Sequence, residues 1–164
     1  MKSMDSDCKR LCEIQANLFE QSVSKLDMSS AIFVRRFMNS SVARELDSKA
    51  FLDDTKTIND VFNDLDKEYG KTTYGSFKYH KDVMYWVGYL YRCFSYVYEL
   101  SSSQAYKMLP FNDVATSFNP YHTLDILQAI ERLLEEKNIS FNENELLKKG
   151  VSMLKEIRHK YNIN

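Results

Sequence analysis

YHKDVMYWVGYLYRCFSYVYEL, residues Tyr79–Leu100, decides the fold. It has no Pro, one Gly, the only Trp of the chain and six of its eleven Tyr. Val83, Val87, Leu90, Phe94 and Val97 recur at spacings of four, three, four and three, with a second seam of Trp86, Leu90, Cys93, Val97 and Leu100 beside them. Two adjacent seams make a broad apolar face at the helical period. A third row, Met84, Gly88, Tyr91, Ser95 and Tyr98, alternates small residues with Tyr, so a neighbouring helix can approach closely there. Only the row Tyr85, Tyr89, Arg92, Tyr96 and Glu99 reads as wet. The pattern predicts the central helix (79–100) of an all-α, single-domain bundle of about six helices spanning residues 1–164.

A membrane span is the rival for so aromatic a segment, and it needs about 20 mostly apolar residues. Arg92, Ser95 and Glu99 interrupt the stretch, and His80, Lys81 and Asp82 crowd its start. Charges at a bilayer centre cost roughly 3 kcal/mol each. Composition agrees with a water-soluble chain: 164 residues, 44% hydrophobic and 27% charged, with four Gly and two Pro. So few turn formers argue for long helices rather than a β-sandwich. A net charge of −1 supplies no basic field for a nucleic-acid backbone. The stretch MKSMDSDCKRLCEIQANLF lacks a continuous apolar core, so no secretory signal is expected, and three Cys in no scaffold pattern point to a reducing cytoplasm.

Working toward the N-terminus, GKTTYGSFK (70–78) is the clearest loop, and a short β-hairpin over Lys71–Tyr79 is possible there. Its GKT lacks the Gly, the spacing and the strand of a phosphate loop. Before it, a helix starts after Thr57 with Ile58, Val61, Phe62, Leu65 and Tyr69 inward and Asp60, Asp64 and Asp66 outward. Residues 45–68 carry eight Asp or Glu against three Lys. Such density is a solvated helix face or a complementary surface for a basic partner. Ser29 is an N-cap with Met28 and Phe33 as a hydrophobic staple, and Asn39-Ser40-Ser41 kinks or splits the helix that follows. Arg35 and Arg36 are expected one along the core edge and one paired with an Asp. The first helix, Asp7–Leu26, has Cys8, Cys12, Ala16, Phe19, Val23 and Leu26 in one stripe. Cys8 and Cys12 have metal-ligand spacing, but no nearby His or Cys completes a zinc set, so they read as small core residues and no metal is expected.

Toward the C-terminus, Ser101-Ser102-Ser103 caps a short helix stopped by Pro110, and another turn covers Asn112–Ser117. That outline matches a DNA-binding helix-turn-helix, but Lys107 is the only basic residue between Glu99 and Arg132. Tyr121–Asp125 then opens a helix through Lys137, with Thr123 as N-cap and Asp125 as dipole partner. His122 and Asp125 could instead be a base and its orienter, with no Ser or Cys nucleophile tied to them. A last helix starts at Asn142, with Glu145 completing a capping box, Phe141 and Leu146 as staple, and Leu147, Val151, Leu154, Ile157 and Tyr161 inward.

SSAIFVRRFMNSSVAREL (29–46), the W-x-G-Y-x-Y-R run at Trp86–Arg92 and Y-H-T-L-D at Tyr121–Asp125 resemble a group of small bacterial proteins. Such proteins are often encoded beside predicted toxins with an ADP-ribosyltransferase-like fold. The resemblance implies an antitoxin and carries no functional residues with it.

The expectation is therefore a non-enzymatic protein-binding module, an antitoxin neutralising a co-encoded toxin by direct contact, with no cofactor. Tyr85, Tyr89, Arg92 and Tyr96 are the candidate partner-binding surface, aided by Asp60 and Asp64. The same Tyr row also suits an interior layer whose hydroxyls bond to neighbouring helices. The alternatives are a small-molecule enzyme with His122, Asp125, Arg92 or His80 in a cleft, and a DNA-binding regulator.

Overall fold

The fold is all-α. The computed structural model describes residues 1–141 and 155–161. In chain order the helices are α1 (Ser6–Lys25), α2 (Ser30–Met38), α3 (Ser41–Asp47), α4 (Ile58–Tyr69), α5 (Lys81–Val97), α6 (Ser102–Met108), α7 (Phe111–Thr116), α8 (Phe118–Tyr121) and α9 (Ile126–Glu136), with a 3-10 turn at Ala50–Asp53. Residues 155–161 are helical as well, and no strand occurs among the described residues. No described helix is long and apolar enough to cross a membrane.

The central helix α5 packs against α1 above all, and also against α6, α7, α8 and α9. Gly88 lets α1 in: a Cβ there would lie 2.8 Å from the Gln15 backbone oxygen and from the Phe19 ring. The small-residue row therefore marks the closest helix approach. Val87, Leu90, Phe94 and Cys93 are fully buried, and Phe19 packs edge-on against Phe33 and Phe37 at 5.2 and 5.1 Å. α5 is shorter than its apolar pattern at both ends. His80 caps it, Nδ1 accepting from the Asp82 N–H. At the other end Glu99 takes a left-handed φ of 55°, and Leu100 N–H donates back to Ser95 O at 2.9 Å. That is a Schellman ending, with Glu where Gly is usual.

More helices appear than the expected six because small polar residues cap and divide them. Ser40 accepts from Ala43 N and separates α3 from α2, as the Asn-Ser-Ser run suggests. Ser29 caps α2 with Met28 and Phe33 both buried, and Thr57 with Asp60 forms a full capping box on α4. Ser101 and Gln104 do the same for α6.

Several expectations are corrected, Tyr69 among them: placed inward by its spacing, it is 36% exposed. Thr123 is exposed and does not cap α9; the cap is Asp125, whose Oδ1 accepts from Leu127 N at 3.2 Å. The chain at Tyr121 is still in α8, so the new helix cannot start until that turn is complete. No hairpin forms over Lys71–Tyr79, because its backbone groups bond to helix ends instead. Arg36 finds a backbone carbonyl, Gly70 O at 2.7 Å, and the ring of Tyr69 rather than an Asp. Ile157 and Tyr161 are exposed, 47% and 62%, not inward. The proposed cap and staple partners Asn142, Glu145 and Leu146 lie outside the described residues. Phe141 packs on Tyr98 and Phe94.

Candidate functional site

The segment from Gly70 to Tyr79 makes a corner between the C-terminal end of α1 and the N-terminal end of α2. Helix ends leave unpaired backbone groups, donors at the start and carbonyls at the finish. The corner supplies both. Tyr74 O and Phe77 O accept from Ser29 N and Ser30 N, each at 3.1 Å. Tyr79 N donates to Ser30 Oγ, and the Lys78 ammonium donates to Val23 O and Leu26 O at the negative end of α1. Gly75, at φ 78°, is pressed against Ser29, where a Cβ would come within 2.7 Å of the Ser29 Cβ. With its backbone so engaged, the corner turns two rings outward: Tyr74 is 74% exposed and Phe77 65%. Phe77 rests edge-on against Tyr79, which rests in turn on Phe111 and donates to Asn112 Oδ1. Beside the corner a cleft of about 540 Å³ is rimmed by Lys25, Asp27, Asp66 and Lys71.

The expected partner-binding row is placed differently. Arg92 is 1% exposed and cannot anchor a surface contact. Its Nε donates to Gln15 Oε1 at 2.8 Å, one terminal nitrogen to Asp47 Oδ1 at 2.6 Å and the other to Ser102 Oγ at 2.7 Å. Ser102 closes the network by donating its N–H and hydroxyl to Asp47, while the Gln15 amide donates to Gly88 O. The reading of this side as wet is thus corrected at Arg92. Tyr85 and Tyr89 are half-buried, and burial pushes both phenols above their ordinary range. Tyr96 donates to the Asp5 carboxylate at 2.9 Å, with Lys49 and Lys2 over its ring at 5.1 and 5.4 Å. Of the row, Arg92 alone is interior, while the three tyrosines are half-buried and Tyr96 bonds through its hydroxyl to the cap of α1.

Asp60 is exposed and already accepts from Thr57 N at 2.8 Å; that bond holds its carboxyl below the ordinary value. Asp64 lies 3.1 Å from Lys56 Nζ, which also meets Glu45 and Asp54. Much of the acidic stretch is thereby answered within the fold. His122 is exposed, stacked on Phe118 at 4.3 Å with Nδ1 on Phe118 O. Arg92, locked on Asp47, does not join it in a cleft. His80 serves as a helix cap.

One pair judged incomplete is completed in space. Cys93 of α5 meets Cys8 and Cys12 of α1, and the three sulfurs lie within 4.8 Å of one another, all fully buried. The statement that no further Cys stands near the pair is therefore corrected; a separation of some 80 residues hid the third.

Tyr74 and Phe77 were missed as site residues. The available signal was two rings in a loop with no apolar periodicity to absorb them. No family model, curated protein or solved structure matches the chain.

Proposed function

We propose that the protein is a non-enzymatic, cytoplasmic protein-binding module. In line with the resemblance of its 29–46, 86–92 and 121–125 stretches, it acts as an antitoxin that neutralises a co-encoded toxin by direct contact. The observation that carries the binding reading is the pinned corner with Tyr74 and Phe77 held out in water. Aromatic side chains are the commonest anchors of protein interfaces. A backbone already fixed before binding loses little conformational entropy when the partner arrives. The mixed-charge rim of Lys25, Asp27, Asp66 and Lys71 suits the polar border of such a contact.

The test pairs growth rescue from the co-encoded toxin with complex formation between the two purified proteins on a sizing column. Tyr74→Ser with Phe77→Ser should lose both while the melting midpoint stays that of the parent. A double variant that rescues and binds as well as the parent would remove the corner from the interface. A parent that forms no complex would end the antitoxin reading altogether.

A further inference from the structure

Cys8 and Cys12 occupy one face of α1 a single turn apart, their sulfurs 3.9 Å from each other. Cys93 reaches them from α5 across the close α1–α5 interface, completing a triangle with no side longer than 4.8 Å. With metal–sulfur bonds of about 2.3 Å, three sulfurs lie about 4 Å apart around a planar centre and about 3.5 Å apart around a pyramidal one that carries a lone pair. The triangle is therefore close to ligating size before any ion enters.

Coordination number and charge decide what the triangle takes. Structural zinc requires four ligands, and catalytic zinc three with a water in the fourth place. Among the described residues no fourth His, Cys, Asp or Glu joins the cluster, and each of its three members is 0% exposed. The site is thus three-coordinate, dry and all-sulfur, which selects a soft centre. Three thiolates carry three negative charges. The nearest cation in the core, Arg92, is already paired with Asp47 at 2.6 Å and leaves no charge over. A monovalent or divalent ion leaves net charge in a dry interior, which is costly, whereas a trivalent one leaves none.

We propose that Cys8, Cys12 and Cys93 form a three-thiolate site for a soft, trivalent, three-coordinate centre, with arsenite its simplest source. Arsenous acid, As(OH)3, exchanges three As–O bonds for three As–S bonds. Each thiol proton leaves on a departing hydroxyl as water, so three waters are released and nothing is oxidised or reduced. Entry is through the first turn of α1, where Cys8 lies three residues from the Asp5 cap and fraying uncovers it.

Reduced full-length protein is mixed with arsenite, and native mass spectrometry is read together with thermal melting. The expected adduct has the mass of one arsenic atom less three hydrogens, and saturation raises the midpoint by about 5–10 °C. Cys12→Ala and Cys93→Ala keep small apolar side chains in the core and lose this adduct. Should either unfold, the arsenic X-ray absorption of the parent complex still counts its sulfur neighbours, with three expected. An absent adduct, one retaining a hydroxyl, fewer than three sulfurs, or binding undiminished in Cys93→Ala overturns the site. Zinc(II) or copper(I), each titrated alone, binding more tightly than arsenite overturns the assignment to a trivalent centre.

Discussion

The Arg92 network and the 70–79 corner solve opposite problems with the same kind of bond. Around Arg92, side chains from α1, α3, α5 and α6 converge to keep one charge dry. At the corner, backbone groups and one lysine are consumed by helix ends, and apolar rings are left in water. The first arrangement specifies how four helices meet. The second specifies a surface. Stability should therefore be concentrated at the network and recognition at the corner.

The sharpest break of that contrast is Arg92→Ala. Removing one partner of a buried ion pair costs about 3–5 kcal/mol, because the other charge is left without its counterpart. Urea unfolding should show the loss, and Arg92→Met with Asp47→Leu should recover most of it. A single variant as stable as the parent would mean that water reaches Asp47 freely.

Gly88→Ala comes next. Its new Cβ meets the Gln15 carbonyl and the Phe19 ring at 2.8 Å, an overpacking that costs about 1–3 kcal/mol. An unchanged denaturation midpoint would separate α1 from α5 and, with them, Cys93 from its two neighbours.

Asp125→Ala should cost about 0.5–2 kcal/mol as the loss of the α9 cap. Thr123→Ala, exposed and capping nothing, should stay within about 0.5 kcal/mol of the parent. The reverse order in thermal melts would restore Thr123 to the helix start.

The smallest effect is in acid. The Asp60 carboxyl lies below its ordinary value because it accepts from the Thr57 backbone. A lowered carboxylate contributes stability above its unfolded pKa and loses it as pH falls through the folded one. The parent should therefore lose a small increment below about pH 4 that Asp60→Asn does not lose. Parallel pH profiles for the two proteins would remove that role.

Most of the helices were legible locally. The α5 seams, the Ser29 cap with its Met28–Phe33 staple, the break at Asn39–Ser41 and the Ser101 cap each depend on residues within a turn or two. The Tyr121–Asp125 start was misplaced within such a window, because Thr and Asp are both good caps and only the end of α8 chooses between them. The short helices α7 and α8 follow from local turns whose continuation past Pro120 no periodicity announces.

The site was legible only in part. Arg92 stands in a polar row of α5, and its burial depends on Gln15 and Asp47, which lie 77 and 45 residues away. The sequence by itself determined helical class, the central element and the face on which a small residue admits a neighbour, since these follow from periodicity and side-chain size. Tertiary structure alone decided that Arg92 is dry, that Cys93 joins Cys8 and Cys12, and that Tyr74 and Phe77 are held outward. The reason is physical: burial and side-chain convergence are properties of which helices meet, and one helix's period cannot name its partners.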